Sequence, residues 1–484
     1  MPFNLSNIHS ERITRVYVTD KTTSPPTEYL LGAVGEYNVH QYVKPFEITI
    51  NDGTTVARWW DVDFTLPMLE TDANSVLNLY DQIASKRADV LIVGNKSFAF
   101  YDVSISIEHD RGNRKTASTV TLHVKGGHKS LSSASGLLSG VIPDKDGNPN
   151  EMVWIPAFRT DTNYTTVIPV TNPNDTNVHP AFIVNGQRIP GFWVAKYQAC
   201  LIDANGNVQT PTTTRITDAS ITGSGLRASS RYWRPPQVDT DFTRAQLACS
   251  QMNGGNITGF HLMTNAEWAA IALWVALTGT PRPKGNNANG TDAYDPTVVG
   301  TPVPGFGASI WYSGSAGPPT SHNRLANGVF DLNGNIREWV DGVYTNTGHI
   351  FVAGNLNTAP TDAGNGFGVS QANYYDTGWY YAWDTAGNVY LSTTGAGTGN
   401  GPANARFVQI TGGGSDTLKR LALAPIGGTF TDRAYVDTTG QRAVTRGGQY
   451  NSWYDAGLNS ISITEPASAY ALVIGFRCAY IGNI

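Results

Sequence analysis

The segment Gln449-Tyr450-Asn451-Ser452-Trp453-Tyr454-Asp455 combines aromatic rings, amides, a hydroxyl and a carboxylate, without a cysteine. Tyr and Trp offer rigid, amphipathic contact area and Asn and Ser offer adaptable hydrogen bonds, which is the chemistry of a recognition surface. The competing use of such rings is core packing, and Trp453 is the residue expected to take it. Between Arg446-Gly447-Gly448 and Gly475-Phe476-Arg477-Cys478 no thiol precedes Cys478, so thiolate chemistry has no group in this stretch. No His-Glu-x-x-His pair, Gly-x-Ser-x-Gly elbow or phosphate-cradling Gly-x-x-x-x-Gly-Lys loop occurs. Asp61 and Asp63 share a strand face by their spacing of two and read as solvated acids, so no enzymatic acid/base pair is expected.

The elements that must position this segment are β-leaning. The chain has 484 residues, room for two to four domains at about 100 to 200 residues each, with only 15% charged residues, 51 glycines and 11% aromatics. A net charge of -5 and a pI near 6.0 supply no basic field, which argues against a nucleic-acid partner. No apolar run approaches a membrane span and the N-terminus carries no signal-like core, so a cytoplasmic origin without membrane insertion is expected. Three cysteines, Cys200, Cys249 and Cys478, permit at most one bridge.

Residues 1–128 are expected to form a β-sandwich with one helix. Phe46–Asn51 and Val56–Phe64 alternate across an Asn51-Asp52-Gly53 turn, Val76, Leu79, Tyr80 and Ile83 fall on one helical face, and Val103–Glu108 pairs with Thr119–Val124. Residues 129–150 have linker composition. Residues 151–484 are expected to form the second domain, which Met152–Pro156 opens and in which Gly191–Tyr197 has the alternation of a strand. Thr243 is expected to cap a helix that buries Ala245, Ala248, Met252 and Cys249 as a core thiol. Thr264-Asn265-Ala266-Glu267 is a capping box followed by the apolar stripe Trp268, Ile271, Ala272, Val275. Residues 345–440, rich in Gly, Thr and Asn, read as a loop insertion. The expected fold class is α+β.

Phe260–Trp268, Gly328–Trp339, Arg446-Gly447-Gly448 and Gly475–Cys478 occur in the order of four motifs of the formylglycine-generating enzyme (sulfatase-modifying factor) family, and residues 152–484 resemble that family. The resemblance implies a variant of the C-type lectin fold. It puts the family's two copper-binding cysteines at Ser452 and Gly457, so neither copper nor oxidase activity is expected, and it gives Cys478 a structural role. It implies a calcium loop at Asp331, Gly334, Ile336 and Glu338, where two carboxylates and intervening carbonyls could converge on one ion; the alternative is that Asp331 and Glu338 cap turns while Trp339 packs the core. It also puts Gln449–Asp455 on the exposed ligand-facing surface, where non-catalytic relatives, variable phage and bacterial adhesins, carry their binding residues. The order of elements in residues 1–128 resembles phage tail-tube domains.

Together these readings give a virion protein of a phage tail, made in the host cytoplasm. Its lectin-like domain attaches to a host surface glycan or protein while its N-terminal domain docks with other tail proteins. Homo-oligomers are expected, because adhesins gain from multivalency. The rival readings are a purely structural tail-tube or capsid-decorating protein and an oxidase on the same fold.

Overall fold

The computed structural model describes the strands of the first 138 residues as backbone. It also describes residues 139–481, apart from 171–174, 176, 185–186, 210–215, 256, 307–309, 354–373, 400 and 428–431. The chain separates into two compact units, Met1–Glu151 and Met152–Ile484, and the described residues are mostly β with few helices.

In the first unit β1 (Ile13–Asp20) pairs with β2 (Thr27–Gly35). A five-stranded sheet runs β3-β4-β7-β6-β5, with β3 Lys44–Thr49, β4 Val56–Leu69, β5 Val90–Val93, β6 Lys96–His109 and β7 Ala117–His128. The β3–β4 hairpin closes at Thr49 opposite Val56. In the β6–β7 ladder Val103 faces Val124 and Glu108 faces Thr119, as the alternation predicts. The helix expected around Val76–Ile83 lies outside the described residues.

Linker composition does not prevent pairing in residues 139–156. β8 (Ser139–Pro143) and β9 (Pro149–Pro156) flank a turn in which Asp144 Oδ1 accepts from the amides of Asp146 and Asn148, both at 2.9 Å. Short ladders follow: β10 (Phe158–Thr160) with β11 (Val167–Pro169), β12 (Ile183–Val184) with β13 (Gln187–Arg188), and β15 (Cys200–Ile202) with β16 (Arg227–Ser229). A five-stranded sheet has the order β17-β27-β14-β9-β8, with β14 Gly191–Ala195, β17 Phe260–Leu262 and β27 Cys478–Tyr480. The largest sheet runs β21-β20-β19-β18-β24-β25-β23-β22, with β26 pairing parallel to β18. Its strands are β18 Arg337–Asn346, β19 His349–Ala353, β20 Tyr374–Trp383, β21 Val389–Ser392, β22 Pro402–Arg406, β23 Arg433–Asp437, β24 Gln441–Gly447, β25 Gly457–Ile463 and β26 Ile474–Phe476.

Residues 345–440, expected to be loop, therefore carry five of these strands. Aromatic pairs join them despite the Gly/Thr/Asn composition: Tyr344 stacks on Phe351 at 4.9 Å and His349 on Tyr380 at 4.0 Å, the cross-strand contacts that stabilise a ladder.

The α-helices among the described residues are α1 (Asp218–Thr222), α2 (Phe242–Ser250), α3 (Asn265–Leu277) and α4 (Asp416–Arg420). α3 starts at the predicted capping box. Thr264 Oγ1 accepts from Glu267 N at 3.2 Å, and Glu267 Oε2 accepts from Thr264 N at 2.8 Å. Trp268, Ile271, Ala272 and Val275 are buried as expected, and so are the residues between Asn265 and Leu273, which makes α3 a core helix. α2 is capped by Asp241, two residues before the expected Thr243, because the Asp241 carboxylate reaches Arg244 N at 2.9 Å. Cys249, expected to be a free core thiol, is disulfide-bonded to Cys478 of β27. α2 packs along the neighbouring β17, bringing the two Cα atoms to 5.8 Å, within bridging range, and Cys200 remains a buried free thiol.

Candidate functional site

Four adjacent strands of the large sheet build the floor of a groove. Thr445 on β24 lies between Trp339 on β18 and Ser462 on β25, and Ser462 in turn faces Tyr435 on β23. Side chains two apart along a strand share a face, so Arg337 joins Trp339, and Ser460 and Thr464 join Ser462. On this row Trp339 is sealed off, its Nε1 donating to Thr240 O and its ring edge-on to Phe242. The remaining residues line a cavity of about 530 Å³. The opposite face of β24 belongs to the core. There Arg446 is fully buried and donates to Asn265 Oδ1 at 2.9 and 2.6 Å and to Ala422 O at 2.9 Å, and burial pushes its guanidinium down to about 10.

Residues 448–455 form the wall. Gly448 has φ +76, and a Cβ there would meet Ala456 Cα at 2.7 Å, so the chain turns where only glycine fits. Gln449 N donates to Ser452 Oγ at 3.0 Å, Tyr450 N to Asn335 O at 3.1 Å and Trp453 N to Asn287 O at 2.6 Å. These anchors hold Trp453 at φ +52, a region bulky side chains rarely occupy. Its ring is turned outward and 51% exposed, beside Tyr454 at 49%. The expected roles are thus exchanged: Trp453 is the exposed ring, while Tyr450 packs on the buried cluster of Val238, Val303, Ile310 and Ile336. Tyr454 meets Tyr294 edge-on at 4.7 Å, and Arg282 lies over the Tyr294 ring. Asp455 accepts from Tyr435 Oη at 3.0 Å and pairs with Arg433 at 3.0 Å. Burial, then the Asp455 charge, raise the Tyr435 hydroxyl to about 12, so it remains a donor. Gln449, Asn451, Ser452, Trp453, Tyr454 and Asp455 line the groove. Arg337, Tyr435, Thr445, Ser460, Ser462 and Thr464 also line it and were not singled out from the sequence. The alternation Ser460-Ile461-Ser462-Ile463-Thr464 was the available signal: polar residues on one face of a strand whose other face is core.

A cluster of buried amides supports the wall. Asn286 Nδ2 donates to Asn335 Oδ1 and Asn287 Nδ2 to Asn333 Oδ1, both at 3.0 Å. Asn335 Nδ2 donates to Gln198 Oε1 at 2.7 Å, and Asn335 Oδ1 also accepts from Trp311 N at 2.7 Å. Gly334, at φ +79, lets its backbone approach Asn286, where a Cβ would meet the carbonyl oxygen at 2.1 Å.

The residues expected to hold calcium, Asp331, Gly334, Ile336 and Glu338, do not fit the ion. Glu338 is buried and pairs with Arg477, Nε to Oε2 at 2.5 Å and Nη2 to Oε1 at 2.6 Å. Gln198 Nε2 donates to Glu338 Oε1 at 2.9 Å and faces the carbonyls of Ile336 at 3.2 Å and Asp331 at 3.3 Å. The Asp331 carboxylate accepts from Gly314 N at 2.7 Å, and burial raises it to about 6. These oxygens converge on N–H donors, whereas calcium requires six to eight oxygens free to turn toward it. Among the described residues no group of three or more His, Cys, Asp and Glu side chains could hold a metal. Trp339 packs in the core, the alternative considered for this loop.

Ser452 and Gly457, the positions expected to replace thiolates, have structural roles. Ser452 Oγ accepts the Gln449 amide. A Cβ on Gly457 would lie 2.5 Å from the Asp432 carboxylate, which pairs with Arg282 and fills that space.

No protein-family model and no curated protein matches the chain. Among solved structures, Treponema denticola variable protein 1 aligns over 68% of this chain and 95% of its own, at 14% identity and TM-score 0.27. The Major Tropism Determinant U1 variant aligns over 72% and 82%, at 11% identity and TM-score 0.26. The Major Tropism Determinant I1 variant aligns over 80% and 81%, at 12% identity and TM-score 0.27. Overlaps this loose do not extend to function.

Proposed function

We propose that the chain is an attachment protein of a virion, a phage-tail component whose second unit is a non-catalytic, C-type-lectin-like recognition domain for a host-surface receptor. The observation that carries this reading is the groove. A concave surface lined by hydroxyls, amides and half-exposed aromatic rings, on a rigid strand floor, matches the composition and pre-organisation of binding sites. Ser452 and Gly457 at the thiolate positions, with Cys478 in a disulfide, favour recognition over oxidation. In this reading the first unit serves assembly with other tail proteins and a homo-oligomer multiplies the grooves.

The test uses the full chain, fluorescently labelled, on a panel of bacterial cells. Adsorption to at least one species is expected. Ser462→Arg, which fills the groove, should abolish it while circular dichroism and melting stay close to those of the unsubstituted chain. Adsorption indifferent to Ser462→Arg, or adsorption to none of the cells, would remove the reading in favour of a purely structural role.

A further inference from the structure

We propose that the groove takes an uncharged sugar ring, stacked on Trp453 and hydrogen-bonded to Thr445 Oγ1 and Arg337 Nε on the floor. The proposal rests on the recognition reading above and names the ligand class of that site.

The first observation is a pair of orphaned polar atoms. Thr445 is 1% exposed and its Oγ1 has no hydrogen-bond partner, and Arg337 Nε is likewise buried without one; both residues line the cavity. A buried polar group without a partner costs more than a typical hydrogen bond returns, so a ligand that reached these two atoms would gain by completing their bonding. Thr445 can donate and accept, and Arg337 Nε can only donate. Arg337 Nη1 is engaged, pairing with Glu465 at 3.2 Å.

The second observation is the balance of charge and hydroxyls. Arg337 is matched by Glu465 and Arg433 by Asp455, so the groove offers no uncompensated charge to a phosphate, carboxylate or ammonium. What remains is amphoteric: Thr445, Ser460 and the hydrogen-bonded pair Ser462 and Thr464, at 2.9 Å. Sugar hydroxyls donate and accept at once and are bound by groups that do the same, while the C–H face of a pyranose is apolar and suits an aromatic face. Trp453 supplies that face. A cavity of about 530 Å³ falls in the range of small-ligand clefts, whereas a protein epitope presents a broad surface.

The experiment measures binding of the methyl glycosides of glucose, galactose, mannose, N-acetylglucosamine and N-acetylgalactosamine to the full chain by saturation-transfer NMR. At least one is expected to bind saturably. Thr445→Val should weaken it about tenfold, the effect of one hydrogen bond, and should leave the melting temperature unchanged or slightly higher, since the hydroxyl has no partner in the fold. Trp453→Ala should remove the binding. Binding of none of the five, or binding unchanged in both variants, overturns the proposal. In the cell assay, groove-dependent adsorption abolished by periodate and resistant to protease supports a sugar. Groove-dependent adsorption abolished by protease and resistant to periodate overturns the sugar and leaves the attachment reading standing.

Discussion

Trp453 shows what a single residue gives up for display. A non-glycine residue in the left-handed region costs roughly 1–2 kcal/mol, and the bond from Trp453 N to Asn287 O fixes it there. Trp453→Gly relieves that cost and Trp453→Ala keeps it, so the glycine variant should be the more stable of the two by about 1 kcal/mol in urea unfolding, although neither retains the ring. The sequence placed Trp453 in the core and Tyr450 at the surface because composition carries no sign of φ. Gln198 poses the converse problem, a residue unnoticed in the sequence that holds the 331–338 loop together. Gln198→Ala leaves Glu338, Ile336 and Asp331 oxygens facing a void, and a loss of about 1–3 kcal/mol is expected. Because the amide and Arg477 satisfy those oxygens, millimolar calcium or a chelator should leave the melting temperature of the unsubstituted chain unchanged. A calcium-dependent rise would contradict this account of the loop. The pattern Asp-x-x-Gly-Asn shows how far local reading reaches. At Asp144, Asp203 and Asp384 it forms a turn in which Oδ1 accepts the amides of residues two and four ahead. At Asp331 the same letters are buried, with the carboxylate turned to Gly314 and Asn335 to Gln198 and Trp311. The surroundings, supplied by distant chain, decide between the two.

At the scale of elements, legibility follows the range of the interactions. The capping box of α3 is local and was read at the residue, as was the β6–β7 register, while β3 and β4 were read as strands with ends displaced by up to five residues. The cap of α2 was read two residues late because Asp241 and Thr243 are both competent and only the backbone path selects between them. The groove floor joins β18, β24, β25 and β23 between Arg337 and Thr464, so no single stretch announces it. The bridge between α2 and β27 is equally non-local, its cysteines separated by 229 residues. Denatured without reductant, the chain should therefore show one reactive thiol, Cys200, and three after reduction. Closing so long a loop restricts the unfolded chain, and the paired replacement Cys249→Ser with Cys478→Ser should cost on the order of 3–5 kcal/mol, read as a lower urea midpoint. Three reactive thiols before reduction would deny the bridge.

Over the second unit as a whole, buried titratable groups set opposed pH dependences. His179 and His322 each accept a backbone amide at Nδ1, from Ala181 at 3.2 Å and Val329 at 2.8 Å, and burial pushes both imidazoles down to about 3. Their folded values lie below the ordinary 6.5, so the unfolded chain takes up these protons first. The stability they contribute is present above pH 6.5 and is lost as pH falls toward 3. Asp331 and Asp341 behave oppositely. Burial raises both to about 6 from an ordinary 3.8, so the folded form holds their protons first. Their contribution is fully present below pH 3.8 and is lost as pH rises through 6. Between pH 6 and 4 the loss from the histidines is opposed by the gain from the aspartates, Asp432 among them because burial raises its carboxyl too, and melting temperature should change little. Below pH 4 the aspartates have nothing further to add. The histidine loss continues, and Asp203, Asp384 and Asp437, held below the ordinary value by hydrogen bonds from turn amides and side chains, begin to protonate out of their turns. A plateau ending in a steep fall near pH 4 is therefore expected by calorimetry. Replacing Asp331 and Asp341 together with Asn removes two of the compensating carboxyls, so the decline should begin near pH 6.5. A double variant that keeps the plateau would show that these carboxyls do not titrate as their burial requires.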